Sequence, residues 1–596
     1  MKRKKHKKEN KKKNIKNRDF YLYPALTNTI NGKRYGYINK DKNIIIPFKF
    51  NSAYDFNNYG VAIVSEDSIF RLIDTKGNYI STEKYESINP YKENRAVYVQ
   101  NSKMGVLDEK GYKITEAKYD YIGNYNNGRA VIEKKIDNNY KYGYIDLDGN
   151  EIVEYKYMEA SDFNDGFAIV KVKDEEFALI DLNGNVVNTY NYQYVGPYGE
   201  GLMTFSRLLG GPYGYINKDG EIVISPKYAY ADKFNDGAAI VSLEFKANGT
   251  FGVIDKLGKA IYGEIYNDIR YLGEEKLALG LPIGKDKLVT RSIYAIADTS
   301  GTLLTKFIYR EVGSFFNGLS YASDEKKTFF IDKNGVVVKD LPIVEGSGEL
   351  RLKGDLIYAD IDYSPYYLDK NKNIVYEPNK EIKLSKDYSI FINKYKPNIN
   401  YLIYIPSVTG LKSKEVEENI NLKLKEMSLF RPYDEDKKVE NIIITSEDVL
   451  TYDYYGNFTI LFYKNNILTL DLVGYYYPLG AAHGMPTRKT PTINLITGNF
   501  YKLEDLFKVS SNWKDELNKI IDEMIKKDPN YEYVFKDAFK GITENQDFYI
   551  DENNLYIYYP PYEIGPYSAG FITFKIPFSN IDMLLNKEGD FYKYLK

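Results

Sequence analysis

Short runs in which apolar and polar residues alternate follow one another over roughly the first 376 residues, each bounded by Gly, Asn or Asp. Alternation with a period of two predicts half-buried β-strands joined by tight turns. The runs also repeat. Tyr-Gly-Tyr-Ile followed by Asp or Asn recurs at 35–39, 142–146 and 213–217. The acidic or amide residue that ends this run can be followed through Asn39, Asp74, Asp108, Asp146, Asp181, Asn217, Asp255, Asp298, Asp332 and Asp369, in steps of 34 to 43 residues. Gly follows two or three residues later in most copies (Gly77, Gly111, Gly149, Gly184, Gly220, Gly258, Gly301, Gly335), where a short hairpin loop needs a positive φ. A second apolar run closes each copy, as at 56–64, 163–170 and 234–241. One unit is therefore three or four short strands, and about ten units bury their apolar faces against one another.

A glycine after the leading aromatic (Gly36, Gly105, Gly143, Gly214, Gly252) would only weaken an exposed strand, so close backbone approach, with an adjoining unit stacked there, is the expected reason. Ala295, Phe329 and Tyr366 stand at or near that place in later copies, and 290–376 reads as degenerate units capping the array. The varying step and the decay of later copies favour an open solenoid-like form, with a propeller-like ring as the alternative.

After about residue 380 the period changes. Val416, Ile420, Leu424 and Met427 fall on one helical stripe that Ser413 can cap, and Trp513, Leu517, Ile520, Ile521 and Met524 fall on another. Strands are expected at 401–405, 457–463, 467–477, 555–559 and 571–576. The fold class is mainly β: a tandem β-hairpin array followed by a separate α+β domain. The divisions are a disordered basic tail at 1–18, the array at 19–376, a linker at 377–384 and the α+β domain at 385–596. Trp513, the one Trp, reads as a core anchor.

Cysteine is absent and histidine occurs only at His6 and His483. Thiol nucleophiles, disulfides, Cys/His zinc sites and paired-His metal centres are excluded, because their ligands do not exist. No metal or cofactor is expected. A set such as Asp146-Leu-Asp-Gly149 lacks the ligand series of a calcium loop, so the repeated Asp is read as a turn residue bonding its own backbone. The 61 Tyr suit half-buried strand surfaces on which the ring packs and the hydroxyl stays wet. Residues 2–18 carry eleven Lys or Arg against one Glu, a composition that does not fold alone. Candidate partners for this tail are an anionic polymer or a membrane surface. With a net charge of −2 no dedicated nucleic-acid face is expected. No apolar stretch long enough for a transmembrane segment or secretory leader is visible, which places the chain in the cytoplasm.

The aromatic-Gly pair, the hairpin and the closing apolar strand at this period resemble the WG-repeat family over roughly residues 30–376, with Tyr, Phe or Met where that family has Trp. In the second half the chain resembles the DUF3298 family with its preceding DUF4163 segment. The resemblance rests on 401–406, Gly480-Ala-Ala-His-Gly484, 494–507 and 548–562 running into Tyr567. It implies a recognition module of the cell envelope, found in anti-sigma factors and beside polysaccharide deacetylases, and hence an extracytoplasmic place. A deacetylase of that kind needs two His and an Asp on a metal, and a sensor needs a membrane span; neither set is here. His483, among small residues beside Tyr475, Tyr476 and Tyr477, is a candidate ligand-binding residue together with Tyr562 and Tyr567; the alternative is a packed histidine that locks a loop. No catalytic residue is assigned. The expected function is non-catalytic binding of protein or cell-wall glycan, the alternatives being a carboxylate-dependent glycan hydrolase and an intracellular scaffold.

Overall fold

In the computed structural model, which describes residues 21–245, 249–284, 291–434, 437–438 and 449–595, each repeated acidic residue turns the chain in the same way. Asp146 Oδ1 accepts the N–H groups of Asp148 and Asn150 at 2.9 and 2.8 Å, and Gly149 closes the turn at φ 79°. Asp74, Asp108, Asp181, Asn217, Asp255, Asp298 and Asp332 make the same pair of bonds. Such a side chain supplies acceptors for backbone donors that the tight loop leaves unpaired. The hairpin Gly is required twice over. A Cβ on Gly111, Gly149 or Gly184 would lie 2.7, 2.5 and 2.5 Å from Leu72, Thr115 and Val153, each in the preceding unit.

Ten small antiparallel sheets of three or four strands succeed one another between Tyr23 and Tyr376 among the described residues. The second Tyr of the repeated motif anchors the sheets in which it occurs. Tyr37, Tyr144 and Tyr215 are fully buried, and their hydroxyls donate to the carbonyls of Tyr54, Ser161 and Asp232 at 2.7, 2.6 and 2.7 Å. These hydroxyls are dry rather than wet: each is paired with a carbonyl 17 residues further along. Unit is tied to unit through the turns that precede the closing apolar runs. Glu93 accepts from Asn127 and Gly128, Asn127 from Gly166, Asp165 from Glu200, Glu200 from Gly237, Asp236 from Glu275, and Glu274 from Gly318.

The close approach at Gly143 comes from its own sheet and not from an adjoining unit. Strand Asn139–Asp146 pairs with Glu151–Tyr157 at Tyr142↔Tyr157 and Tyr144↔Val153, so the partner bulges opposite Gly143. A Cβ there would sit 2.3 Å from Val153 O; at Gly36 and Gly214 the corresponding distances to Ile46 O and Ile224 O are 2.5 and 2.4 Å. Gly252 meets Tyr262 O and Glu264, whereas Gly105 is crowded by the Tyr98 ring. Where the next unit has Ala178 in this place, the bulge is absent and Ala178 pairs directly with Thr189.

The ends of the array meet. Tyr23, Ala25 and Ile38 of the first unit share one cluster with Leu356 and Tyr367 of the last. Tyr367 OH donates to Pro24 O at 2.9 Å, Tyr376 OH to Leu26 O at 2.8 Å, and Lys353 pairs with Asp55 at 2.7 Å. The ring-like alternative therefore describes the array, and the open spiral does not. Closure uses side-chain packing without exchange of a strand, so it tolerates a varying repeat length. The units read as caps are not caps; residues 291–376 form the sheets that join the first unit and carry the C-terminal domain.

That domain begins inside the stretch read as a linker, because Glu381–Lys383 is the edge strand of an eight-stranded sheet. The sheet continues through Ser389–Asn398, Tyr401–Thr409, Tyr452–Lys464 and Ile467–Pro478 to Thr492–Asn494 and Phe500–Tyr501, with Met485–Lys489 also pairing to Ile467–Pro478. Helix α1 (Lys414–Ser428) is capped by Ser413, whose hydroxyl accepts from Val416 N, and it buries Ile420 and Leu424 against Leu468, Leu470 and Ile493. Helices α2 (Trp513–Lys527) and α3 (Asp590–Leu595) pack on a smaller sheet of Phe548–Ile550, Asn554–Tyr559 and Ile572–Pro577. Trp513 is at the rim of that core, half-buried and stacked on Phe507 at 4.8 Å. Ring and domain are clamped by Asp362, which accepts from Lys394 and Lys396, and by Arg291 with Asp453.

Candidate functional site

Strand alternation divides the three consecutive tyrosines. On Ile467–Pro478, Tyr475 and Tyr477 point one way and Tyr476 the other. Tyr476 lies under the guanidinium of Arg431, 3.6 Å from the ring centroid, and beside Tyr452, so it belongs to the packing of the opposite face. The strand then turns through Gly480 and returns as Met485–Lys489, with Tyr476 opposite Met485. Tyr477 OH steadies the turn by donating to Ala481 O at 3.0 Å.

Gly484 is where the turn meets the strand. A Cβ there would be 2.6 Å from both the Tyr475 ring and Tyr476 O, which accounts for the small residue. Its N–H donates to Tyr475 OH at 3.0 Å, and its carbonyl accepts from Tyr567 OH at 2.8 Å and from His483 Nδ1 at 3.0 Å. A carbonyl only accepts, so Nδ1 carries the hydrogen. In the tautomer with its only hydrogen on Nδ1, Nε2 is the acceptor for Tyr562 OH at 3.1 Å. The His483 ring stacks on Tyr567 at 4.0 Å, with Tyr562 at 6.2 Å from His483 and 5.6 Å from Tyr567. Hydrogen bonding to Tyr475 pushes the Tyr567 hydroxyl up from its ordinary pKa.

Tyr562 is held at φ 70°, a left-handed conformation that side-chain-bearing residues rarely adopt, and is 52% exposed. Such strain needs support from its surroundings. Here the Pro560–Gly565 turn supplies it, with Tyr562 N donating to Gly565 O at 3.1 Å. His483, Tyr475, Tyr562 and Tyr567 thus form one aromatic cluster that faces solvent, Tyr477 braces it and Tyr476 lies outside it. Both nitrogens of His483 are committed, and none of its hydrogen-bond partners is a carboxylate, a serine or a threonine. The cluster offers ring faces and hydroxyls for contact, and its one hydroxyl–imidazole pair is Tyr562 OH on His483 Nε2. The sequence contains the signal for His483 in its run of small neighbours; the strain at Tyr562 has no signal there.

A model described as WG containing repeat matches residues 35–68, 70–103, 104–140, 142–175 and 213–244. One described as Deacetylase PdaC matches 392–486, and Protein of unknown function (DUF3298) matches 504–579. The aromatic cluster joins these last two segments, since Tyr475 and His483 lie in the former and Tyr562 and Tyr567 in the latter. Among solved structures, a DUF3298 family member from Bacteroides fragilis is 19% identical, covering 35% of this chain and 96% of that one at a TM-score of 0.26. A DUF3298 family protein from Pseudomonas aeruginosa is 15% identical, covering 33% and 94% at 0.25. BamB from Moraxella catarrhalis is 13% identical, covering 48% and 96% at 0.27. No curated protein matches the chain. No helix among the described residues is long and apolar enough to cross a membrane. The chain carries WG-containing repeats in its first half, followed by a C-terminal region made of a PdaC-matching segment and a DUF3298 segment.

Proposed function

We propose that the protein is a non-catalytic, envelope-type binding protein in which the repeat ring is a scaffold and the His483–Tyr562–Tyr567 cluster takes a cell-wall glycan. The repeats and the DUF3298 segment suggest the binding or scaffold role. The observation that supports the glycan is the stack of exposed rings with hydroxyls at its edge. Sugar rings present apolar C–H faces rimmed by hydroxyls, and aromatic side chains with a polar tip complement both. The basic segment at 2–18, which lies outside the described residues, would add salt-sensitive attraction to an anionic wall polymer or membrane surface.

The test is retention of the full chain on insoluble cell-wall material, with Tyr562→Ala, Tyr567→Ala and His483→Gln as variants. The wild type is expected to be retained and the tyrosine variants to lose at least ten-fold in affinity with unchanged melting. Equal retention of all four refutes the assignment of the cluster. Release of new reducing ends from the same material would favour the carboxylate-dependent glycan hydrolase instead. Retention on protein removed from the wall but not on stripped glycan would make the ligand a protein.

A further inference from the structure

The C-terminal domain holds two hydrophobic cores, and a groove of about 890 Å3 lies where they meet. Phe500 packs against the core to which α1 contributes, whereas the next residue, Tyr501, and Trp513 pack against the core of α2 and α3. All three line the groove. Helix α1 adds Asn419 and Lys423, and the turn before α3 adds Asn586. Ligand sites concentrate where structural units join, and this volume is in their usual range of about 300–1,000 Å3.

Two half-buried rings in the groove are held flat by buried rings behind them. Trp513 lies on Phe507 at 4.8 Å and 5°, and Tyr501 on Phe591 at 4.3 Å and 3°. Buried Asn494 donates to Tyr501 OH at 3.1 Å, which fixes the polar end of that ring and leaves the hydroxyl hydrogen to be given. Rigid amphipathic rings present contact area at little cost in conformational freedom. Around them stand Asn419, Asn499 and Asn586, whose side-chain amides make no hydrogen bond among the described residues. Each amide can both donate and accept. Charge disfavours an anion here, since Glu504, Asp505 and Asp590 face the single Lys423, which lies over the Phe500 ring at 5.0 Å. Two of these carboxylates are already served by Lys502: Asp505 accepts its N–H at 2.8 Å, and Glu504 lies 3.6 Å from its ammonium.

We propose that this groove binds a short, uncharged oligosaccharide whose ring faces lie on Trp513 and Tyr501 while its hydroxyls meet Asn419, Asn499 and Asn586. Sugar hydroxyls both donate and accept, as the amides do, and the C–H faces between them need flat apolar partners. A peptide is less well served. The sheet edge in the groove is the two-residue strand Phe500–Tyr501, too short for an added strand to pair along. The site shares no residue with the His483 cluster and does not rest on the reading of that cluster.

Trp513 is the one Trp of the chain, so its fluorescence reports on this groove alone. The full chain is titrated with cellotriose, with the N-acetylglucosamine trimer and with trigalacturonate as an anionic counterpart. At least one neutral trimer is expected to shift the emission saturably, with one site per chain by calorimetry, and trigalacturonate to bind at least ten-fold more weakly. Asn419→Ala and Asn499→Ala, both at exposed positions, should each weaken binding at least three-fold with unchanged melting. Trp513→Ala should abolish it in calorimetry, whereas Trp513→Phe, which keeps a ring over Phe507, should retain part of the affinity. Tyr562→Ala should leave it unchanged. Absence of binding by both neutral trimers, equal binding of trigalacturonate, or unaltered binding by both Asn variants would overturn the proposal. Loss of binding in Tyr562→Ala with the Asn variants intact would also overturn it, by moving the sugar to the His483 cluster.

Discussion

Replacing Gly143 by Val tests the local geometry on which each regular unit is built. Gly143 lies outside the left-handed region, so the substitution introduces no backbone strain and its effect is steric alone. A Cβ would lie 2.3 Å from Val153 O and 3.1 Å from the Glu154 carbonyl carbon, both backbone atoms of the bulge. Atoms fixed in a strand cannot rotate aside as the end of a side chain can. The bulge must therefore open, and overpacking of this kind costs about 1–3 kcal/mol. In a domain of 150–250 residues each kcal/mol lowers the midpoint by about 2–4 °C, so a fall on the order of 2–6 °C is expected in this larger array. Differential scanning calorimetry gives the midpoint, and hydrogen exchange over 139–157 locates the loss. Gly143→Ala should give most of the effect, because the clash belongs to Cβ. The neighbouring unit supplies the control: Ala178→Gly should cost about 1–2 kcal/mol, from added chain freedom and the loss of one buried methyl, with no steric clash because Ala178 faces no bulge. An unchanged midpoint for Gly143→Val, or a loss of protection in the adjoining unit instead of 151–157, would refute the reasoning.

Tyr144→Phe removes a buried donor and leaves Ser161 O unpaired, so a loss of about 1–3 kcal/mol is expected, read as faster exchange in its own sheet. Asp362→Asn should loosen the clamp between ring and domain by about 1–3 kcal/mol, detected as faster proteolysis in 377–384. The same clamp has a pH signature. Burial works to raise the Asp362 carboxyl, but Lys394 and Lys396 outweigh it and hold the group below the ordinary carboxylate range. A depressed folded pKa contributes stability that is present above the unfolded value, about 3.9, and is lost as pH falls through the folded value. The wild-type junction should therefore open in acid, and in Asp362→Asn the dependence below pH 4 should flatten.

Much of the array was legible because its signals are local. The Asp-to-Gly spacing specifies a turn that each unit makes for itself, and the Ser413 cap and the 416–427 stripe specify α1 in the same way. Closure was not legible. Tyr23 and Tyr367 are ordinary strand residues in sequence, and the decay of the motif after residue 290 suggested an end where the structure has a seam. A backbone does approach Gly36, Gly143, Gly214 and Gly252 closely, whereas at Gly105 it is the Tyr98 ring; which strand approaches depends on a bulge, and bulges follow register rather than composition. The dry hydroxyls of Tyr37, Tyr144 and Tyr215 were hidden for the same reason, since their acceptors lie 17 residues away. At the candidate site the small residues around His483 marked a tight turn, whereas the groove that Tyr501 and Trp513 line exists only once the two cores of the domain are packed together.

Zero-length carbodiimide coupling tests closure of the ring most directly, because it joins an amine to a carboxylate only where the two are in contact. Lys353 and Asp55 are 2.7 Å apart and belong to the last unit and to the second unit. The account predicts an amide between these two residues, found by mass spectrometry in the monomer fraction of the wild-type chain. Recovery of within-unit links such as Lys171 to Glu159, 3.2 Å apart, without any link between 353 and 55 would contradict it.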